Sequence, residues 1–414
     1  MMSEIKQRIE QIRRGEVPER YVKTALGLAP ANWKRYTFGD IYTQRKEPGD
    51  ENLPLLMVSI HSGVSDGEVD AAELPKQVKR IEDKSQYKKA VSGDLVFNMM
   101  RAWQGAIGTV RTTGMVSPAY IVAEPNGKAY PLFMDYYSRT PQMINQIDRQ
   151  SYGVTDFRKR LYWDSFAPIG CILPPIAEQQ KIAAILTTQD KVIELKEKRL
   201  AEKQRQKKYL MQQLLTGKKR LPGFYGAWSF PKAKELFQSV SDKDHNGDLA
   251  VLSSTQDRGI VPRDEVDIDI KYDACSLANY KKVSKGNFVI SLRSFQGGIE
   301  YSTYTGLVSP AYTVLSSRKE ISDGYYKQFF KSTDYINRLN VAVYGIRDGK
   351  QISYEDFGRL RIPYPPIKEQ DAIAEVLSTA DHEIDLLQQD IEQEKQKKKA
   401  LMQLLLTGIV RVKT

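Results

Sequence analysis

The strongest constraint on how this chain can fold is that it is written twice. "LMQQLLTG" at residues 210–217 returns as "LMQLLLTG" at 401–408, and Pro174-Pro175-Ile176-Ala177-Glu178-Gln179 returns as Pro365-Pro366-Ile367-Lys368-Glu369-Gln370, both offset by 191. Further upstream, Tyr87-Lys88-Lys89 is answered by Tyr280-Lys281-Lys282 and Ser117-Pro118-Ala119-Tyr120 by Ser309-Pro310-Ala311-Tyr312. Arg101-Ala102-Trp103-Gln104-Gly105 is answered by Arg293-Ser294-Phe295-Gln296-Gly297, and Tyr152-Gly153 by Tyr344-Gly345, with the offset drifting only between 191 and 193. A duplication that takes up most of a 414-residue chain makes the repeat, not the whole chain, the folding problem.

Each copy divides into a globular part and a helical tail. The tails open with Pro-Pro, which suits a first helical turn but not an interior, and run through good helix formers to Gly217 and Gly408, where a C-terminal stop belongs. Leu186, Ile193, Leu200 and Leu214 recur at heptad spacing, as do Leu377, Ile384, Ile391 and Leu405, so the tails predict a coiled coil. Lys196, Lys203 and Lys207 interrupt the first seam, and Glu394 and Lys398 the second.

Charge selects the orientation. Antiparallel pairing sets Lys203 near Glu383, Lys196 near Asp390 and Asp190 near Lys395, whereas a parallel register sets Asp190 beside Asp381 and lysines beside lysines. The antiparallel arrangement is therefore expected. A helix of roughly 40 residues spans about 60 Å, so it can hold two domains apart at a separation that suits half-sites on B-DNA.

The globular parts carry short β-type runs, such as "PLLMVSI", "GDLVFNMM" and "SPAYIVAE" in the first and "DLAVLSS", "GNFVISL" and "SPAYTVLSS" in the second, punctuated by Gly, Pro and Asp-Gly. One helix per half is expected at residues 131–148 and 323–340. The expected class is mixed α/β: two tandem β-rich globular domains joined by two long antiparallel helices, a pseudo-twofold internal repeat. The boundaries read as 1–31 for an N-terminal helix and connector, 32–173 for the first domain and 174–218 for the first long helix. The second domain takes 219–364, and 365–414 forms the second long helix and tail.

Function is bounded by what is present and what is missing. A net charge of +11 and 23 tyrosines point to a polyanion, nucleic acid first. The charged N-terminus without an apolar core, and two cysteines without ligand spacing, predict a cytoplasmic protein with no membrane span and no metal. No phosphate loop, dinucleotide fingerprint, C-x-x-C or H-E-x-x-H occurs, and His61, His245 and His382 are scattered. The helical trio Asp190, Glu194 and Lys196 has nuclease-like spacing of a kind that charged helices produce by coincidence. No catalytic residue and no cofactor are assigned to this chain.

The doubled "PPI-x-EQ" with its long helix ending "LTG", together with the doubled "R-x-x-QG", "SPAY" and "YG" blocks, resembles the specificity subunit of Type I restriction-modification systems from Trp33 onward. The resemblance implies two target-recognition domains, each reading half of a split DNA sequence, with the helices setting the gap. It also implies partners: double-stranded DNA, a pair of methyltransferase subunits that bind S-adenosylmethionine and modify adenine, and restriction subunits that use ATP and Mg. A coiled-coil scaffold without sequence-specific DNA binding remains the alternative reading.

Direct readout needs side chains with paired donors or acceptors. Arg101, Gln104, Arg293 and Gln296 belong to the framework shared by both copies, so they are expected to position the duplex through phosphates. The divergent His61, Ser62, Thr155, Arg158 and Lys159 in the first domain, and Thr255, Gln256, Arg347 and Lys350 in the second, are the expected readers. Tyr152 and Tyr344 are expected to stack or to line a groove. Glu178, Gln179, Leu214, Leu215, Glu369, Gln370, Leu404 and Leu405 are the expected partner contacts.

Overall fold

A computed structural model describes residues 2–50, 52–65, 86–153, 159–256, 258–266, 274–342 and 352–413. The chain forms two compact units, one of residues 1–195 with 391–414 and the other of residues 196–390. Each unit therefore owns half of each long helix.

The two units are built alike. In the first, a four-stranded sheet runs in the order Tyr42–Arg45, Tyr120–Pro125, Leu95–Asn98, Ile107–Thr109. In the second the order is Phe237–Val240, Thr313–Ser317, Phe288–Ile290, Glu300–Tyr301. A two-stranded ladder joins Lys88–Ala90 to Gly114–Val116 in one unit and Lys281–Val283 to Gly306–Val308 in the other. All these ladders are antiparallel, and parallel pairing among the described residues is confined to isolated bridges such as Leu55 with Met115. The topology explains two of the repeated motifs. Lys88 and Lys281, each on the edge ladder, donate from Nζ to the carbonyl of Tyr120 and of Tyr312 at 2.7 Å, so the Tyr-Lys-Lys and SPAY blocks meet in space. Burial lowers both lysines from their ordinary value.

The expected single helix after the sheet is two. Pro131–Tyr137 ends before Thr140, whose Oγ1 accepts from the Met143 amide at 3.3 Å to cap Pro141–Gln150. Pro141 takes the first helical position, where its missing N–H costs nothing. The second unit breaks likewise, between Asp323–Phe329 and Thr333–Ala342.

The long helices are Ile176–Leu214 and Ile367–Leu406. Within each unit they run antiparallel. In the second unit Lys196 pairs with Asp390 at 2.8 Å, Lys203 with Glu383 at 2.6 Å, and Lys207 with Asp381. In the first unit Asp190 pairs with Lys398 at 2.5 Å and Gln189 donates to Glu394 Oε2 at 2.5 Å. Asp190 thus takes Lys398, one helical turn beyond the expected Lys395, because the Tyr136 hydroxyl also donates to it at 2.6 Å and holds it toward the domain. The lysines that break the heptad seam are the residues that fix its direction. Ile182, Leu186 and Ile193 on one helix, and Ile373, Leu377, Ile384 and Ile391 on the other, are buried.

The helix ends are absorbed by the domains. Ile182, Leu186, Leu405 and Leu406 enter the core of the first unit with Phe38, Phe97, Phe133 and Phe166. Leu214, Leu215, Ile373 and Leu377 enter that of the second with Phe237, Phe288 and Phe330.

Candidate DNA interface

Each unit opens its own N-terminal helix turn around a buried glutamate and glutamine. Glu178 takes a two-point fork from Arg411, Nε to Oε1 at 2.6 Å and Nη2 to Oε2 at 2.7 Å, and Trp33 Nε1 donates to it at 3.3 Å. Glu369 takes the same fork from Arg220 at 2.5 and 2.7 Å, with Trp228 Nε1 donating at 2.9 Å. The guanidiniums sit over the same tryptophans, 5.8 Å from Trp33 for Arg411 and 5.3 Å from Trp228 for Arg220. Hydrogen bonding to the glutamates raises both arginines above their ordinary value. Gln179 and Gln370 accept from the Tyr130 and Ser322 amides and donate to the Pro174 and Pro365 carbonyls, all within 2.9 Å. These four residues, with Leu214, Leu215 and Leu405, are buried inside their own units and offer no surface to a partner; Leu404 is half-buried. The PPI-x-EQ motif is an internal lock.

The exposed framework lies elsewhere. After strand Leu95–Asn98 the chain makes a tight turn, Ala102–Gln104, flanked by Arg101 and by Gly105 at φ 105. A side chain at Gly105 would press on the Ile60 carbonyl at 3.3 Å, so the His61-Ser62 tip is seated directly against this turn. Arg101, Gln104, His61 and Ser62 are all exposed. Lys159 pairs with Asp148 at 2.9 Å and lies 5.3 Å above the Trp103 ring, and the Leu161 amide donates to the Met99 carbonyl. Tyr152, 59% exposed, has its ring 5.9 Å from that of Tyr162. The first unit therefore gathers Arg101, Gln104, His61, Ser62, Tyr152 and Lys159 along one edge. Thr155 and Arg158 lie outside the described residues.

The second unit repeats the edge with different tips. Arg293 caps the turn Ser294–Gly297, and the hairpin Leu252–Thr255 with Gly259–Pro262 brings Gln256 Nε2 to 3.4 Å from Gln296 Oε1. Lys331 Nζ donates to the Gln256 carbonyl at 3.2 Å, while Thr255 Oγ1 is spent on the Gly259 carbonyl at 2.9 Å. Tyr344, Arg347 and Lys350 lie outside the described residues.

Among the described residues no group of three His, Cys, Asp or Glu is placed to hold a metal ion, and no helix is long and apolar enough to cross a membrane. Cys171 is buried, and burial pushes its thiol up to about 12, which suppresses the thiolate. Of the nuclease-like trio, Asp190 is committed to Lys398 and Tyr136, and Lys196 to Asp390.

Two similar domains with matching polar edges and paired long helices define a duplicated recognition subunit. The profile of the Type I restriction modification DNA specificity domain matches residues 76–205 and 227–396, once in each half and over more than half of the chain, and the chain belongs to that family. A putative type I restriction enzyme MjaX specificity subunit from Methanocaldococcus jannaschii is 23% identical, covering 96% of this chain and 98% of its own length. The MjaVIII specificity subunit of the same organism is 24% identical over 80% of this chain and 83% of its own. Among solved structures, a chain described under complex assembly and conformational transition of the type I R-M system aligns with TM-score 0.56 at 18% identity, covering 92% of this chain and 99% of its own. The HsdS subunit from Thermoanaerobacter tengcongensis aligns with TM-score 0.50 at 18% identity, covering 92% and 98%. These structural likenesses support the fold.

Proposed function

We propose that this chain gives a Type I restriction-modification complex its DNA sequence specificity, each unit reading one half of a bipartite duplex target and the long helices setting the gap. The observation that carries this reading is the pair of equivalent edges. The Arg-x-x-Gln turn is kept in both units, while the hairpin tip seated on it changes from His61-Ser62 to Thr255-Gln256. A kept turn suits contacts that both half-sites offer, namely phosphates, and a changed tip suits base edges that differ. Arg101, Gln104, Arg293 and Gln296 then position the duplex. His61, Ser62, Lys159 and Gln256 read it, together with Thr155, Arg158, Arg347 and Lys350 on sequence grounds, and Tyr152 and Tyr344 line the groove. Thr255 spends its hydroxyl on the Gly259 carbonyl, shaping the hairpin and leaving base reading to Gln256.

Catalysis resides on partners: two methyltransferase subunits that carry S-adenosylmethionine and modify adenine, and restriction subunits that use ATP and Mg in the cytoplasm. Partner contact moves from the buried leucines to Leu195 and Leu386, equivalent positions that are 66% and 51% exposed. Two equivalent contacts suit two copies of one partner.

The test is the methylation pattern left by the chain co-expressed with its methyltransferase subunits in a host lacking other adenine methylases. Long-read mapping is expected to find modified adenines in one split motif with a fixed gap. Methylation that is absent, or scattered without a motif, would favour the scaffold reading.

A further inference from the structure

Among the described residues, large apolar side chains stand exposed at equivalent positions of the two copies in two places, Leu195 with Leu386 and Met100 with Leu292. Single exposed apolar residues are ordinary on any surface, but exposure repeated at one point of a duplicated framework is not accounted for that way. Met100 is 46% and Leu292 49% exposed, and each immediately precedes the framework arginine of its edge.

The backbone beneath them is braced. The Met100 amide donates to Asn98 Oδ1 at 3.0 Å, and its carbonyl accepts from Trp103 Nε1 at 3.0 Å. In the second unit the Ser291 amide donates to Ser294 Oγ at 2.9 Å and the Arg293 amide to Ser291 Oγ at 3.3 Å, bracketing Leu292. A rigid turn thus projects an unbranched or γ-branched apolar side chain outward, with an exposed guanidinium beside it. Neither Arg101 nor Arg293 forms an ion pair with a described residue.

We infer that Met100 and Leu292 are wedges, each entering between two stacked base pairs of its own half-site while Arg101 or Arg293 holds the adjoining phosphate. Three considerations favour insertion over base reading. The apolar character is kept in both copies although the tips beside it diverge, so the contact tolerates different sequences, as insertion into a stack does. A contact with a thymine methyl would demand thymine at the same place in both half-sites. Met and Leu are side chains that DNA-bending proteins insert between base steps, and an arginine is a common phosphate contact. The consequence fits the chemistry of the complex: an adenine must leave the stack before a methyltransferase can reach it, and a step already opened nearby lowers that cost.

The inference rests on the specificity reading and is tested in the assembled complex of this chain with its methyltransferase subunits. The probe is a duplex bearing the mapped target, with 2-aminopurine placed at successive positions of one half-site at a time, leaving out the methylated adenine and its immediate neighbours, where flipping of that base brightens the probe without a wedge. Wild-type complex is expected to brighten the probe at one step in each half-site. Met100→Ala is expected to return the first unit's half-site to free-duplex emission and leave the other bright, Leu292→Ala to do the reverse, and Met100→Leu to restore the signal. The same split motif is read in all three, and its methylation is expected to slow in the two alanine variants. Selective binding by wild type without brightening, brightening that survives both alanine variants, or its loss at both half-sites in a single variant would each overturn the wedge and leave the specificity reading intact. Absence of any preference for the bipartite target over scrambled DNA would overturn both.

Discussion

Arg411 closes on the carboxylate of Glu178 from 233 positions away, and Arg220 meets Glu369 with the same two-point geometry. The glutamates are almost fully buried, with side chains 2% and 0% exposed, so they depend on these arginines and on one tryptophan each. Arg220→Ala and Arg411→Ala should each cost about 3 kcal/mol, the lower part of the range for breaking a buried pair, because the guanidiniums are partly exposed. Trp228→Phe removes one donor and should cost about 1 kcal/mol. Denaturant titration of the purified chain measures both, and equal losses for the arginine and tryptophan variants would show that the fork is not the main support.

The helix pair depends on charges that are individually weak. Lys203→Glu should lower stability slightly, and combining it with Glu383→Lys should recover most of the loss; high salt should shrink the difference. Acid should act in the same direction as the single reversal. Hydrogen bonding to Lys203 holds the Glu383 carboxyl below its ordinary value. A carboxyl lowered by folding stabilises the fold above its unfolded value, and the contribution fades as pH falls through the folded one. Thermal melts at descending pH, compared between wild type and Glu383→Gln, should therefore converge in acid.

The duplication, the antiparallel direction and the heptad seams were legible because they are local or periodic, and two of the three anticipated charge pairs formed as anticipated. The Asp190 partner slid by one turn because Tyr136, which belongs to the domain rather than the helix, also bonds it. The role of Glu178 and Glu369 was not legible. Their partners Trp33, Arg411, Arg220 and Trp228 come from distant segments, and a buried glutamate at a helix start looks in sequence like any first-turn acid. The leucines at the helix ends look available to a partner in sequence because the domains that cover them contribute aromatic residues from segments far along the chain. The repeated tryptophans and arginines were the signal that would have found the lock, since Trp33 and Trp228 stand near the start of each domain and Arg220 and Arg411 follow each "LTG".

The framework arginines should behave as anchors, not readers. Arg101→Ala in the assembled complex should weaken binding to specific and scrambled duplexes alike and reduce the salt slope of log affinity by about 1, one phosphate's share. Gln256→Ala should instead leave the salt slope alone and relax base preference in one half-site, costing about 1–3 kcal/mol against the preferred base. Fluorescence anisotropy across a salt series distinguishes them, and a change of preferred sequence in Arg101→Ala would exchange the two roles.

The gap between half-sites gives the most direct test of what the long helices do. The two compact units divide between Leu195 and Lys196 on one helix and between Asp390 and Ile391 on the other. Seven residues inserted at both points add the same length to each helix, keep the heptad seam in phase and disturb none of the ion pairs within either unit. Each helix lengthens by about 10 Å, which matches about three base pairs of duplex. If the helices set the spacing, methylation mapping of the doubly inserted chain should return the same two half-sites with a gap longer by about that amount. A single insertion lengthens one helix and not its partner, so the pairs of the two units, Lys196 with Asp390 in one and Asp190 with Lys398 in the other, can no longer all be kept in one register. An unchanged gap in a folded, active double insertion would mean that the duplex, not the helix pair, absorbs the difference.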